Sequence, residues 1–185
     1  SLERANIDAL RMKNVDGIIF IPSTDSTDNI KILQKLMIPF ILVNRSVDND
    51  QVCQVFVDNE KTGYEAAQHI LSKGRKRLVY LDRVKEIQYS KLRREGFFHA
   101  LKEHGDPDVT YTIIRSTHNF YDGGYYAAKN LLENKINFDA VVTYNDYQAI
   151  GLMRYLQEHG VGIPSDVLVF GCDNMQVSKY FSPSL

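Results

Sequence analysis

The chain reads as an α/β protein with a mostly parallel, doubly wound sheet. Short apolar runs rich in branched residues recur along its 185 residues. Most of these runs are continuously apolar instead of alternating, as strands covered on both faces are. Between them lie segments whose apolar residues repeat with helical period, and strand and helix alternate almost without exception.

Each element has its own signal. LERANIDALRMKN predicts a helix over 1–13, and VDGIIFI (15–21) a strand. Residues 28–37 place Ile32, Leu33 and Leu36 on one helical face, ahead of the strands FILV (40–43) and VCQVFV (52–57). Residues 60–73 align Ala66, Ala67, Ile70 and Leu71 before LVYL (78–81), and 89–104 align Leu92, Phe97, Ala100 and Leu101 before VTYTII (109–114). Residues 122–134 align Tyr126, Ala127, Leu131 and Leu132 before AVVTY (140–144). Residues 146–159 align Ile150, Met153, Tyr155 and Leu156 before VLVF (167–170). Each stripe has the width of a helix laid on a sheet. KEHG (102–105) and QEHG (157–160) finish with glycine past the helix end and histidine beside the negative end of the dipole.

Composition narrows the function. The net charge is −1 with no long block of one sign, which argues against a surface that coats nucleic acid. The densest basic cluster, residues 73–77, fits a solvated loop. Five histidines show no HxxxH or HxH spacing, so no metal site is expected. Cys53 and Cys172 lie in apolar runs without a CxxC, as buried thiols of a reducing compartment do. No run approaches the ~18 apolar residues of a membrane span. GxSxG, GxGxxG and phosphate-loop patterns do not occur, so neither a cofactor nor a catalytic residue is expected. A glycosidase needs two carboxylates across the scissile bond. Asp146 and Asp173 are the available pair, but Asp146 belongs to the first turn of a helix.

Four strands end in a pair containing Asn or Asp: Asn44-Arg45, Asp58-Asn59, Asn145-Asp146 and Asp173-Asn174. One reading is local. Asn145 caps the following helix, and Gln148 three residues later completes a capping-box-like pair. The other is functional. Ligands of open α/β sheets bind outside the carboxyl ends of the strands, and amides and carboxylates there suit a ligand rich in hydroxyls.

Taken together, VDGIIFIPS, IPFILVNR, SKLRREGFFHAL, NFDAVVTYNDYQAIG, GVGIPSDVLVFGCDN and FSPSL follow in the order of the effector-binding core of LacI/GalR-type bacterial transcription regulators, which the whole chain resembles. The resemblance implies two similar lobes of periplasmic-binding-protein type with a small effector held between them. Residues 1–57 would form an incomplete N-terminal lobe and 58–185 the C-terminal lobe. In that family a helix-turn-helix headpiece comes first, so the chain reads as a fragment that does not itself read DNA. The implied function is the sensing module of a cytoplasmic repressor. It would be a homodimer that binds a sugar, sugar phosphate or related metabolite and reaches operator DNA only through the headpiece, with no membrane contact. A periplasmic sugar-binding protein of a transport system is the alternative with the same fold.

Four positions match the family's effector contacts, Asn44, Arg93, Asn145 and Asp173, and Phe120 lies near a fifth. Arg93 belongs to the R..GF motif, and its guanidinium fork suits ring hydroxyls or a carboxylate. A solvated helix face is its plain alternative, and as a cleft residue it is expected to hold no core. Asn44 stands where the family often has Asp. Phe120 lies near a stacking aromatic, one residue short in spacing. Arg83 and Lys85, where the family usually has small residues, would admit an acidic group on the effector.

Overall fold

A computed structural model describes residues 2–85 and 87–185. The chain divides into two compact units, one built from residues up to 58 with 87–89 and the other from the remainder.

The first unit contains α1 (Leu2–Met12), β1 (Ile18–Phe20), α2 (Asp28–Leu36), β2 (Phe40–Val43) and β3 (Cys53–Val55). Its sheet runs β1-β2-β3, parallel throughout. Ile7 of α1 and Ile30 and Leu33 of α2 pack on Ile18, Phe20 and Leu42. Strand side chains alternate between faces, so Ile19 points the other way and is 73% exposed, with Ile21 and Val55 also exposed. The continuous apolar run predicted cover on both faces of β1. An incomplete lobe, by contrast, would leave the side chains of this strand short of cover; α1 and α2 pack on one face and Ile19 is exposed on the other.

The second unit contains α3 (Asn59–Ser72), β4 (Arg77–Asp82), most of α4 (Gln88–His104), β5 (Thr110–Arg115), α5 (Phe120–Glu133), β6 (Ala140–Thr143), α6 (Asp146–Glu158), β7 (Leu168–Phe170) and a short 3-10 turn, Gln176–Lys179. Its parallel sheet has the order β5-β4-β6-β7. Alternation along β4 divides the core. Leu78 and Tyr80 meet Ala66 and Ile70 of α3 and Phe97 and Ala100 of α4. Val79 and Leu81 meet Ala127 and Leu131 of α5 and Leu152 and Leu156 of α6. The unit is therefore doubly wound. The winding reverses between β4 and β6, whose carboxyl ends make the crevice that such sheets offer to ligands. β5 departs from the expected burial: as an edge strand it leaves Tyr111 and Ile113 exposed. Tyr126 likewise faces solvent, while Ala127 and Leu131 of the same stripe are buried. The two expected helix stops hold, with Gly105 at φ 66° and Gly160 at φ 74°.

The helix pairs approach to backbone contact at glycines. A Cβ on Gly63 would lie 1.8 Å from the Arg93 carbonyl oxygen, and one on Gly96 would lie 1.8 Å from that of Glu60. Gly124 against Gln148 and Gly151 against Tyr121 repeat the arrangement in α5 and α6. Helix backbone cannot yield locally as a flexible side-chain end can, so Gly151→Ala should destabilise the second unit by about 3 kcal/mol. Denaturant unfolding checks this against Gly74→Ala, where the added Cβ meets open space and the positive φ alone should cost about 1 kcal/mol.

Candidate functional site

Helical spacing puts Ser90, Arg93, Gly96, Phe97 and Ala100 on the buried face of α4. A guanidinium there, 9% exposed, must find acceptors or its burial is prohibitive. Its Nε donates to Asn59 Oδ1 at 2.9 Å, and Nη1 donates to the Tyr144 carbonyl at 2.6 Å. Nη1 also lies 3.9 Å from Asp173 Oδ1. The expectation that Arg93 holds no structure is therefore corrected. It ties the start of α3 to the end of β6, because its packed position leaves the donors no solvent.

Asn145 follows β6 and caps α6, its Oδ1 accepting from the Gln148 backbone N–H at 3.1 Å. The reciprocal half of the expected capping pair is not made. Gln148 Nε2 instead donates to the Asp82 carbonyl at 3.3 Å, bracing α6 against β4. Asp146 is structural: Oδ2 accepts from the Met175 N–H at 2.7 Å and the Ser178 hydroxyl at 2.9 Å. It thereby fixes the loop that carries Asp173. That residue has φ 140°, a region that side chains other than glycine enter at a cost of about 1–3 kcal/mol and that tends to mark functional sites. Its side chain is 39% exposed. Burial raises the Asp173 carboxyl above its ordinary value, with Arg93 opposing.

Arg93, Asn145 and Asp173 thus gather at the carboxyl ends of the second unit's strands. Phe120 opens α5 at φ 51°, exposed, with its ring edge-on to Tyr147 at 5.3 Å, just beyond Asn145. Asn44 lies in the first unit, at φ 59° after β2. It lines a narrow cleft of about 10 Å³ with Thr24, Asp25, Arg45 and Gln88. Arg83 stands over the Tyr144 ring at 5.5 Å, and Lys85 is exposed.

Three participants were missed in the site residues chosen from sequence. Asn59 accepts from Arg93. Asp82, 1% exposed, pairs with Arg94, and a charge closing the apolar run of β4 was its signal. Arg45, buried, donates to the Thr24 and Asp25 carbonyls, each at 2.5 Å. Its signal was adjacency to Asn44. Among the described residues no His, Cys, Asp or Glu group is arranged to hold a metal ion.

Two parallel α/β units with polar side chains converging at strand ends define the periplasmic-binding-protein class. Residues 1–183 match the family of periplasmic binding proteins and sugar-binding domains of LacI-type regulators, and the chain belongs to that family. It is 30% identical over 190 residues to a transcriptional repressor, PurR, of Vibrio atlanticus, covering 99% of this chain and 55% of the relative. A LacI-family sugar-binding regulator from Escherichia coli, complexed with phosphate, superposes with a TM-score of 0.85 at 28% identity, over 99% of this chain and 66% of that one. A LacI-family regulator from Enterococcus faecium with bound ribose gives 0.83 at 30% identity, over 96% and 66%. The chain spans about half the length of the curated relatives it matches. Among the described residues no helix is long and apolar enough to cross a membrane.

The raised Asp173 carboxyl carries a sign. A group protonated more readily when folded adds stability below its ordinary value of 3.8 and loses it as pH climbs through the raised folded value. Asp173→Asn removes that loss with a side chain of nearly the same shape. Its melting temperature should match the parent's near pH 3 and exceed it increasingly as pH rises through the carboxylate range to neutrality. Thermal melts from pH 3 to 8 measure this, and a gap widening toward acid would contradict it.

Proposed function

We propose that the chain is the effector-sensing part of a LacI-type transcription regulator, a repressor, that binds a sugar or sugar phosphate through Arg93, Asn145 and Asp173. The carrying observation is the convergence of those three residues, far apart in sequence, beside the point where the sheet winding reverses. The proposal extends to Asn44 and Phe120 as further contacts, and to residues 1–57 and 58–185 as the family's two lobes. A homodimer in the cytoplasm is the working assembly, and operator contact belongs to a helix-turn-helix segment outside these residues. The relatives named as repressors favour this reading over a transport binding protein. No catalytic step is assigned, and relatives named as regulators agree with that.

The chemistry is that of polyol recognition. A carboxylate such as Asp173 accepts two hydroxyl donors, and the Asn145 amide keeps its N–H₂ donors after capping α6 with its oxygen. Control follows from linkage: an effector that favours one arrangement of the regulator shifts its affinity for DNA.

A thermal-shift screen of D-ribose, D-glucose, D-ribose 5-phosphate, D-glucose 6-phosphate and hypoxanthine tests the proposal. At a hundredfold excess over its dissociation constant, a bound sugar should stabilise by about 2.7 kcal/mol. A response to hypoxanthine alone, or to nothing, overturns the reading. Arg93→Ala should weaken the sugar by about 2–4 kcal/mol through lost charge-assisted hydrogen bonds. It should also cost about 1–3 kcal/mol of folding stability, since it removes the charge-assisted hydrogen bonds to Asn59 Oδ1 and the Tyr144 carbonyl. Calorimetric titration and denaturant unfolding separate the two effects.

A further inference from the structure

Beneath Arg93 lies a narrow cavity of about 10 Å³, room for a single water-sized group, lined by Tyr80, Thr62, Gly63, Thr143 and Cys172 as well as by Arg93 itself. Tyr80 is 1% exposed, and its ring packs on Phe97 at 5.1 Å between centroids. The hydroxyl has no hydrogen-bond partner among the described groups. The neighbouring oxygens do not relieve it. Thr143 Oγ1 shares its one proton between the Asn145 carbonyl at 2.8 Å and the Phe170 carbonyl at 3.2 Å and accepts nothing from Tyr80. Arg93 uses Nε and Nη1 on Asn59 and Tyr144.

A phenol buried in this way carries a desolvation cost that a satisfied one does not, and phenylalanine would fill the same volume without that cost. Burial also raises the phenol's pKa, so the group remains a protonated donor at all physiological pH values. A donor held ready at that cost, in a cavity bordered by Arg93 and Cys172, suits an incoming acceptor oxygen.

We propose that Tyr80 is a specificity-determining residue whose hydroxyl donates to one hydroxyl oxygen of the bound sugar, inserted into the cavity beneath Arg93. The inference rests on the sugar-sensing reading above and narrows it. The effector must carry a hydroxyl group that projects past the guanidinium toward β4. A flat base or a ligand with all its oxygens on the outer rim leaves Tyr80 unpaired.

The test is Tyr80→Phe, with D-ribose, D-glucose and their 5- and 6-phosphates as probes in calorimetric titrations. The ligand-free melting temperature is measured in parallel. The expected result is a loss of about tenfold in affinity for each sugar that the parent binds, with the ligand-free midpoint unchanged or raised. A ligand-free midpoint lower by more than about 3 °C, roughly 1 kcal/mol for a chain of this size, shows the hydroxyl already bonded to trapped water and overturns the inference. Affinity reduced by less than about threefold also overturns it, while the Arg93 site stands. If no probe binds the parent, the sugar-sensing reading falls and takes the inference with it.

Discussion

A cation inside a protein dictates the geometry around it. The Arg93 guanidinium is nearly inaccessible, and its burial is tolerable only because acceptors stand within reach on two sides, Asn59 Oδ1 and the Tyr144 carbonyl. That arrangement needs α4 within backbone contact of α3, which Gly63 and Gly96 alone permit. Glycine and arginine are thus one device. The small residue brings the helix close, and the large one uses the closeness to stitch helix to sheet. Asp173 is then held near the same guanidinium by a loop that Asp146 anchors.

The second unit applies this logic twice. Gly124 and Gly151 cross α5 on α6 as Gly63 and Gly96 cross α3 on α4, each glycine lying against a carbonyl of the partner helix. Both faces of the sheet are therefore gripped by helix pairs with little freedom to slide. A site built on such a frame meets its ligand already shaped, and preorganisation lowers the entropic cost of binding.

Much of this was legible in the residues. The apolar runs placed every strand, since a covered strand has few other ways to be written. Glycine past each of the histidine-ended helices set their ends. The period read on α4 aligned Leu92, Phe97, Ala100 and Leu101 and left Arg93 open to a solvated face, whereas the buried face is that of Ser90, Arg93, Gly96, Phe97 and Ala100. Other features were not legible. An apolar run does not say which strand lies at an edge, so Tyr111 and Ile113 read as core and are exposed. A capping-box spacing does not say that Gln148 prefers the Asp82 carbonyl, because that oxygen arrives from a strand more than sixty residues away. The positive φ of Asp173 and the unpartnered hydroxyl of Tyr80 are properties of the assembled chain, carried by residue types common elsewhere.

The uncovered face of the three-stranded sheet governs how the material behaves in bulk. Ile19 and Val55 on strands β1 and β3, with Ile21 and Val57 just beyond them, present branched apolar surface to water. Surfaces of this kind set colloidal behaviour before they affect folding. Light scattered by concentrated solutions of these residues should rise with sulfate, which strengthens burial, and fall when a single lysine replaces Ile19. The apolar surface that these residues offer for self-association thus lies on a face remote in sequence from Arg93.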